Sequence, residues 1–77
     1  MTETGTKVIL YTTTNCSACD TARADLTAEG VDFEERNVMA KQEFYDEVLK
    51  YSISVPVLLR GGNVEVGWKG DMGCPIF

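Results

Sequence analysis

Four apolar side chains in succession, Val8-Ile9-Leu10-Tyr11, form the pattern of a strand buried on both faces. Such a strand needs a packed layer on each side. In a chain of 77 residues that requirement leaves room for one small layered α/β domain over residues 1–77, near the lower size limit for a core without staples. The strand is expected over residues 7–11. Thr12-Thr13-Thr14-Asn15 then leads into a helix over residues 16–29, whose inner face reads Cys19, Ala22 and Leu26 and whose stop is Gly30.

Further along, Val31-Asp32-Phe33-Glu34 alternates as a short second strand, and residues 41–51 place Phe44, Val48 and Tyr51 at helical spacing, as packing residues. Residues 54–60 form a third strand with Pro56 near its start, where a missing N–H does least harm to the ladder. Gly61-Gly62-Asn63 turns the chain, and Val64-Glu65-Val66 returns antiparallel as the fourth strand. The order is strand, helix, strand, helix, hairpin. Its first unit implies parallel pairing through a crossover, so one sheet with helices packed on it is the economical fold.

The dithiol Cys16-Ser17-Ala18-Cys19 stands where the first strand gives way to the first helix. At a helix start the unpaired N–H groups and the positive dipole end stabilise a thiolate, so Cys16 is expected to ionise below an ordinary thiol's pKa of about 8.5. Cys16 is read as the nucleophile at the exposed helix start. Cys19, one turn on and on the inner face, is the resolving thiol. Tetrahedral zinc would need four ligands, and the sequence offers no histidine and one further cysteine, Cys74; no metal site is expected. A purely structural disulfide would close too short a loop to stabilise much.

Composition narrows the partners. A net charge of −5 argues against nucleic acid or an anionic membrane, because phosphate binding relies on clustered lysine and arginine. No apolar run approaches a membrane span, and the first six residues have neither the basic nor the apolar region of a signal peptide. The cytoplasm is the expected compartment, where a dithiol is kept reduced and used in exchange. A monomer is expected.

Tyr11-Thr12 ahead of Cys-x-x-Cys, Val55-Pro56 opening a strand, a Gly-Gly hairpin and Gly67 after the next strand together resemble a glutaredoxin of the thioredoxin superfamily, over essentially the whole chain. The resemblance implies a thioredoxin-like, four-stranded mixed sheet with helices packed on it and a cis peptide before Pro56, and the residues of this chain give it a shortened C-terminal helix. It implies thiol-disulfide exchange with glutathione mixed disulfides or protein disulfides, at a potential roughly between −200 and −270 mV. Under it, Cys16, Pro56 and Gly67 converge at one sheet edge, where Val55 offers its backbone to a cysteine-containing peptide. Tyr11, Thr13, Val55, Pro56, Gly67, Trp68 and Lys69 are the implied substrate or glutathione contacts.

Gly67-Trp68-Lys69-Gly70 is also similar to short glutaredoxin-like redoxins, some of which draw electrons from thioredoxin reductase to supply ribonucleotide reductase. The implied donor is therefore glutathione, as a co-substrate, or a thioredoxin-reductase-type protein, with no bound cofactor. The alternative is an iron-sulfur carrier, in which the first active-site cysteine and glutathione bridge a cluster between two chains. Three positions depart from the family's usual pattern: Ser17 and Ala18 replace proline and tyrosine, and Thr13 replaces a common lysine. Loss of the proline is expected to alter the helix start and the potential, and Lys69 is the replacement cation.

Cys74 is the odd thiol. Gly73 and Pro75 around it disfavour a closing helix, so an irregular or single-turn segment is expected. Seven residues from Gly67 to Cys74 span at most roughly 23–25 Å, which brings the active site within reach. A packing thiol and a third redox thiol are both open readings.

Overall fold

A computed structural model describes residues 8–70 and 73–76 of the chain. The first strand, β1, runs Val8–Thr12, and the expected starting residue Lys7 lies outside the described residues. Helix α1 covers Ser17–Ala28 with Cys16 as its N-cap, followed by β2 at Phe33–Asn37, α2 at Gln42–Val48, β3 at Ser54–Val55 and β4 at Val57–Arg60. The chain returns through β5 at Asn63–Val66 and β6 at Cys74–Pro75.

The main sheet has the order β2-β1-β4-β5, with β1 parallel to β2 and antiparallel to β4, and β4 antiparallel to β5. This is the mixed four-stranded sheet expected from the sequence. The second strand lies further along than residues 31–34, because its register matches all of β1, from Val8↔Phe33 to Thr12↔Asn37. Its charged residues Glu34, Glu35 and Arg36 are tolerated on an edge strand, where ion pairs satisfy them. The second helix is shorter than residues 41–51. It ends at Val48, whose carbonyl accepts the N–H groups of both Tyr51 and Ser52 at 2.9 Å in closing turns.

Alternation along β1 and β4 separates two packing faces. Leu10 and Leu58 meet Ala22 and Leu26 of α1 on one face, with Val31, Phe33 and Trp68 at the margin. Tyr11 and Val57 lie on the other face, with Val48 of α2 and the flanking Phe44 and Tyr45. One helix therefore covers each side of the doubly buried β1, as its apolar run requires.

The third strand is interrupted at Pro56, which cannot donate to a ladder, and Val55-Pro56 is a cis peptide. The two residues before it leave the main sheet and pair with β6 in a small second sheet, with Ser54↔Pro75 and Val55↔Cys74. The closing segment is thus extended. It differs from the shortened helix or single turn expected there because Gly73 sits at a φ of +85°, Pro75 has no N–H for a helix, and the edge of β3 offers an unfilled ladder. No helix among the described residues is long and apolar enough to cross a membrane.

Candidate active site

Beyond Thr12, the turn into α1 passes through Asn15 at a φ of 59°, a left-handed conformation that asparagine tolerates better than most residues. This turn sets Cys16 in an extended conformation as the helix cap. Its Sγ accepts the backbone N–H of Cys19 at 3.3 Å, filling the role usually taken by a serine or aspartate oxygen. The Cys16 carbonyl accepts the N–H of Asp20 at 3.0 Å and starts the helix ladder.

Cys16 is not exposed. Only 1 % of its surface is accessible, and that of Cys19 is 0 %. The sequence places Cys16 at an open helix end, but Val55 and the segment carrying Cys74 and Ile76 close over it. Cys16 Sγ lies 3.9 Å from the Val55 carbonyl oxygen. None of the three cysteines is joined in a disulfide.

Burial pushes the Cys16 thiol upward, but hydrogen bonds involving Cys19 and Cys74 and the N–H groups of Cys19 and Ala18 outweigh it and leave the pKa below its ordinary value. Cys19 goes the opposite way. Burial and its hydrogen bond to Cys16 raise it strongly, against a smaller opposing contribution from the Thr13 backbone. One sulfur is poised to ionise while the other keeps its proton, the division of labour that exchange chemistry needs.

Pro56 and Gly67 reach the same edge. The register Tyr11↔Val57↔Val66 aligns the end of β1 with the start of β4 and the end of β5, and the Gly67 N–H donates to the Pro56 carbonyl at 2.9 Å. The remaining sequence-predicted contacts are placed less uniformly. Tyr11 is buried, and its hydroxyl donates to Glu47 at 2.8 Å, so it braces β1 against α2. Thr13 is half-buried beside the dithiol.

Trp68 turns away onto α1, where its indole N–H donates to Asp25 at 2.7 Å, and Lys69 Nζ lies 3.2 Å from the same carboxylate. These two contacts hold the Asp25 carboxyl below its ordinary range. They also bring the exposed ammonium of Lys69 against α1.

Two buttresses have no local signature in the sequence. Thr12, fully buried, donates to Glu35 at 2.9 Å, and Glu35 takes a forked pair of bonds from Arg23 at 2.7 and 2.6 Å. Arg36 joins Glu47 and Glu34 and stands over the Phe44 ring. Apart from Glu34 and Arg36 on β2 itself, the bonded partners lie 11 or more residues apart, so the fold and not local spacing brings them together. Among the described residues, no group of three or more histidine, cysteine, aspartate or glutamate side chains is placed to hold a metal ion.

A dithiol capping the helix that follows the first strand, facing a strand-opening cis-proline on a mixed four-stranded sheet, defines a thioredoxin-like thiol redox protein. The glutaredoxin family profile matches residues 8–65, and the chain belongs to that family. It is similar to the crystal structure of a glutaredoxin from Archaeoglobus fulgidus, with a TM-score of 0.72 and 28% identity, over 82% of this chain and 76% of that one. It is also 41% identical over 67 residues to the Gene 56 protein of Mycobacterium phage L5, covering 83% of this chain. The chain spans 65% of the length of that relative.

Proposed function

We propose that the protein reduces protein disulfides or glutathione mixed disulfides, with Cys16 as nucleophile and Cys19 as resolving thiol. The observation that carries this reading is the Cys19 N–H on Cys16 Sγ at 3.3 Å, within a pair whose two thiols are shifted in opposite directions. The Cys16 thiolate attacks one sulfur of the substrate disulfide. The second substrate sulfur leaves as a thiolate and takes up a proton. Cys19 then gives up its proton and attacks Cys16 Sγ, releasing the first substrate thiol and leaving a Cys16–Cys19 disulfide. Two electrons have passed to the substrate, and a donor thiol pair returns them. Helix capping activates the first sulfur without a histidine base, which this sequence does not contain.

The test is a disulfide-reduction assay run in parallel with glutathione and with thioredoxin reductase plus NADPH. Activity with either donor, abolished in Cys16→Ser, is expected. In Cys19→Ser, resolution through Cys19 is lost while a one-thiol reaction with glutathione mixed disulfides survives. No reduction with either donor sinks the reading. A brown protein with charge-transfer absorption after anaerobic purification favours the iron-sulfur carrier instead.

A further inference from the structure

We propose that the segment 73–76 is a built-in strap that occupies the substrate-docking edge of β3 and presents Cys74 to Cys16 as a second resolving thiol. The inference rests on Cys16 being the nucleophile.

An extended substrate peptide recognises an exposed strand edge through backbone pairing. Beside Cys16 that edge is β3, and it is already filled: Val55 pairs with Cys74 and Ser54 with Pro75. A cysteine of this chain therefore stands opposite the residue whose carbonyl lies 3.9 Å from Cys16 Sγ. Gly73 fixes the approach. A Cβ on Gly73 would lie 2.0 Å from the Val55 oxygen, closer than real contacts allow, so the strap backbone and Cys16 converge on one carbonyl.

Ile76 anchors the far end. It is 5 % exposed within the cluster that contains Cys16 and Val55, and its N–H donates to the Ile53 carbonyl at 3.0 Å. Cys74 itself packs against that cluster, and its hydrogen bond contributes to the lowered pKa of Cys16. Ladder pairing over only two residues makes the strap an element of low local stability, the kind that opens without global unfolding.

Opening exposes Cys16 to an external disulfide. Cys16 then bonds to one substrate sulfur, and the other leaves with a proton. When the strap returns, Cys74 loses its proton and attacks Cys16 Sγ; the mixed disulfide breaks, the substrate thiol departs, and a Cys16–Cys74 disulfide remains. The substrate disulfide is the sole oxidant. Cys19, fully buried, competes for the same mixed disulfide, so its serine variant isolates the Cys74 route.

The test uses the full chain carrying Cys19→Ser, treated when dilute with hydroxyethyl disulfide, then alkylated and mapped by mass spectrometry. An intramolecular Cys16–Cys74 disulfide is expected. A persistent mercaptoethanol adduct on Cys16 with Cys74 fully alkylatable overturns the proposal and leaves the exchange reading standing, as does a bridge between two chains. Cys16 that never reacts with the disulfide overturns both. In a second arm, Gly73→Ala in the otherwise unaltered chain forces the strap away. If the strap is closed nine-tenths of the time or more, Cys16 alkylates roughly tenfold faster or more in this variant. An unchanged rate overturns the proposal. Should Gly73→Ala fail to fold by circular dichroism, Ile76→Asp loosens the same strap from its other end, with the same expected and overturning rates.

Discussion

Replacing Glu35 by glutamine tests the brace beneath the dithiol turn. Glu35 receives Arg23 from α1 and the hydroxyl of Thr12, the last residue of β1, so it ties together the two elements that flank Cys16. The ion pair is partly solvated, with side-chain exposures of 38 % and 31 %, and after screening contributes about 0.5–1 kcal/mol. Glutamine keeps an acceptor for the buried Thr12 hydroxyl but removes its charge, which weakens that bond by about 0.5 kcal/mol. A total loss of about 1–1.5 kcal/mol in a domain of this size lowers Tm by about 4–12 °C near neutral pH. The bond from Arg23 holds the folded Glu35 pKa below its unfolded value of about 4.3, so the stabilisation is present above that value and disappears as pH falls through the folded one. Thermal melts by circular dichroism, stepped from about pH 7 to about pH 2.5, are expected to show the gap between wild type and Glu35→Gln closing below about pH 4. An undiminished gap at low pH, or none at neutral pH, refutes the assignment.

Two further outcomes are expected. Residue-resolved alkylation against pH should give a half-maximal rate for Cys16 below the ordinary thiol value of about 8.5 and for Cys19 well above it; coincident midpoints would contradict the division between the two sulfurs. Leu26→Ala, at a fully buried position between α1 and the sheet, should cost about 2–5 kcal/mol in urea unfolding, a large part of the stability of a domain this small, and a loss under about 1 kcal/mol would mean that α1 does not depend on this contact.

The apolar run of β1, the helical stripe Cys19-Ala22-Leu26 and the Gly-Gly hairpin made most of the sheet and one helix legible, because each is a local pattern with one economical burial. The bounds of β2 were not legible. Val31 and Phe33 resemble the start of a strand, but its placement is set by pairing with β1, and the charged Glu35 and Arg36 fall beyond the expected strand until their partners on α1 and α2 are known. Trp68 and Lys69 illustrate the same limit at the candidate site. Nothing in Gly67-Trp68-Lys69-Gly70 reveals that both side chains turn to Asp25. The burial of Cys16 also depends on a long-range event, the return of the segment 73–76 to β3, which no local periodicity announces.

Ser17 and Ala18, where the family often has proline and tyrosine, bear on that burial more than on activation. The backbone donors that lower the Cys16 pKa belong to Ala18 and Cys19, so a proline at position 17 would remove neither of them. The cap is a property of the backbone and tolerates either sequence. Space is different. Ala18 is 2 % exposed and belongs to the same buried cluster as Val55 and Ile76. A tyrosine ring there would have to be accommodated where the interior is already filled, and close-packed interiors accept added volume only by moving something. The two-residue β6 packs on that cluster through Cys74. A small residue at position 18 and a glycine at position 73 are therefore compatible choices made far apart in sequence: each leaves room for the strap to lie over Cys16, and a larger side chain at either position favours the open form.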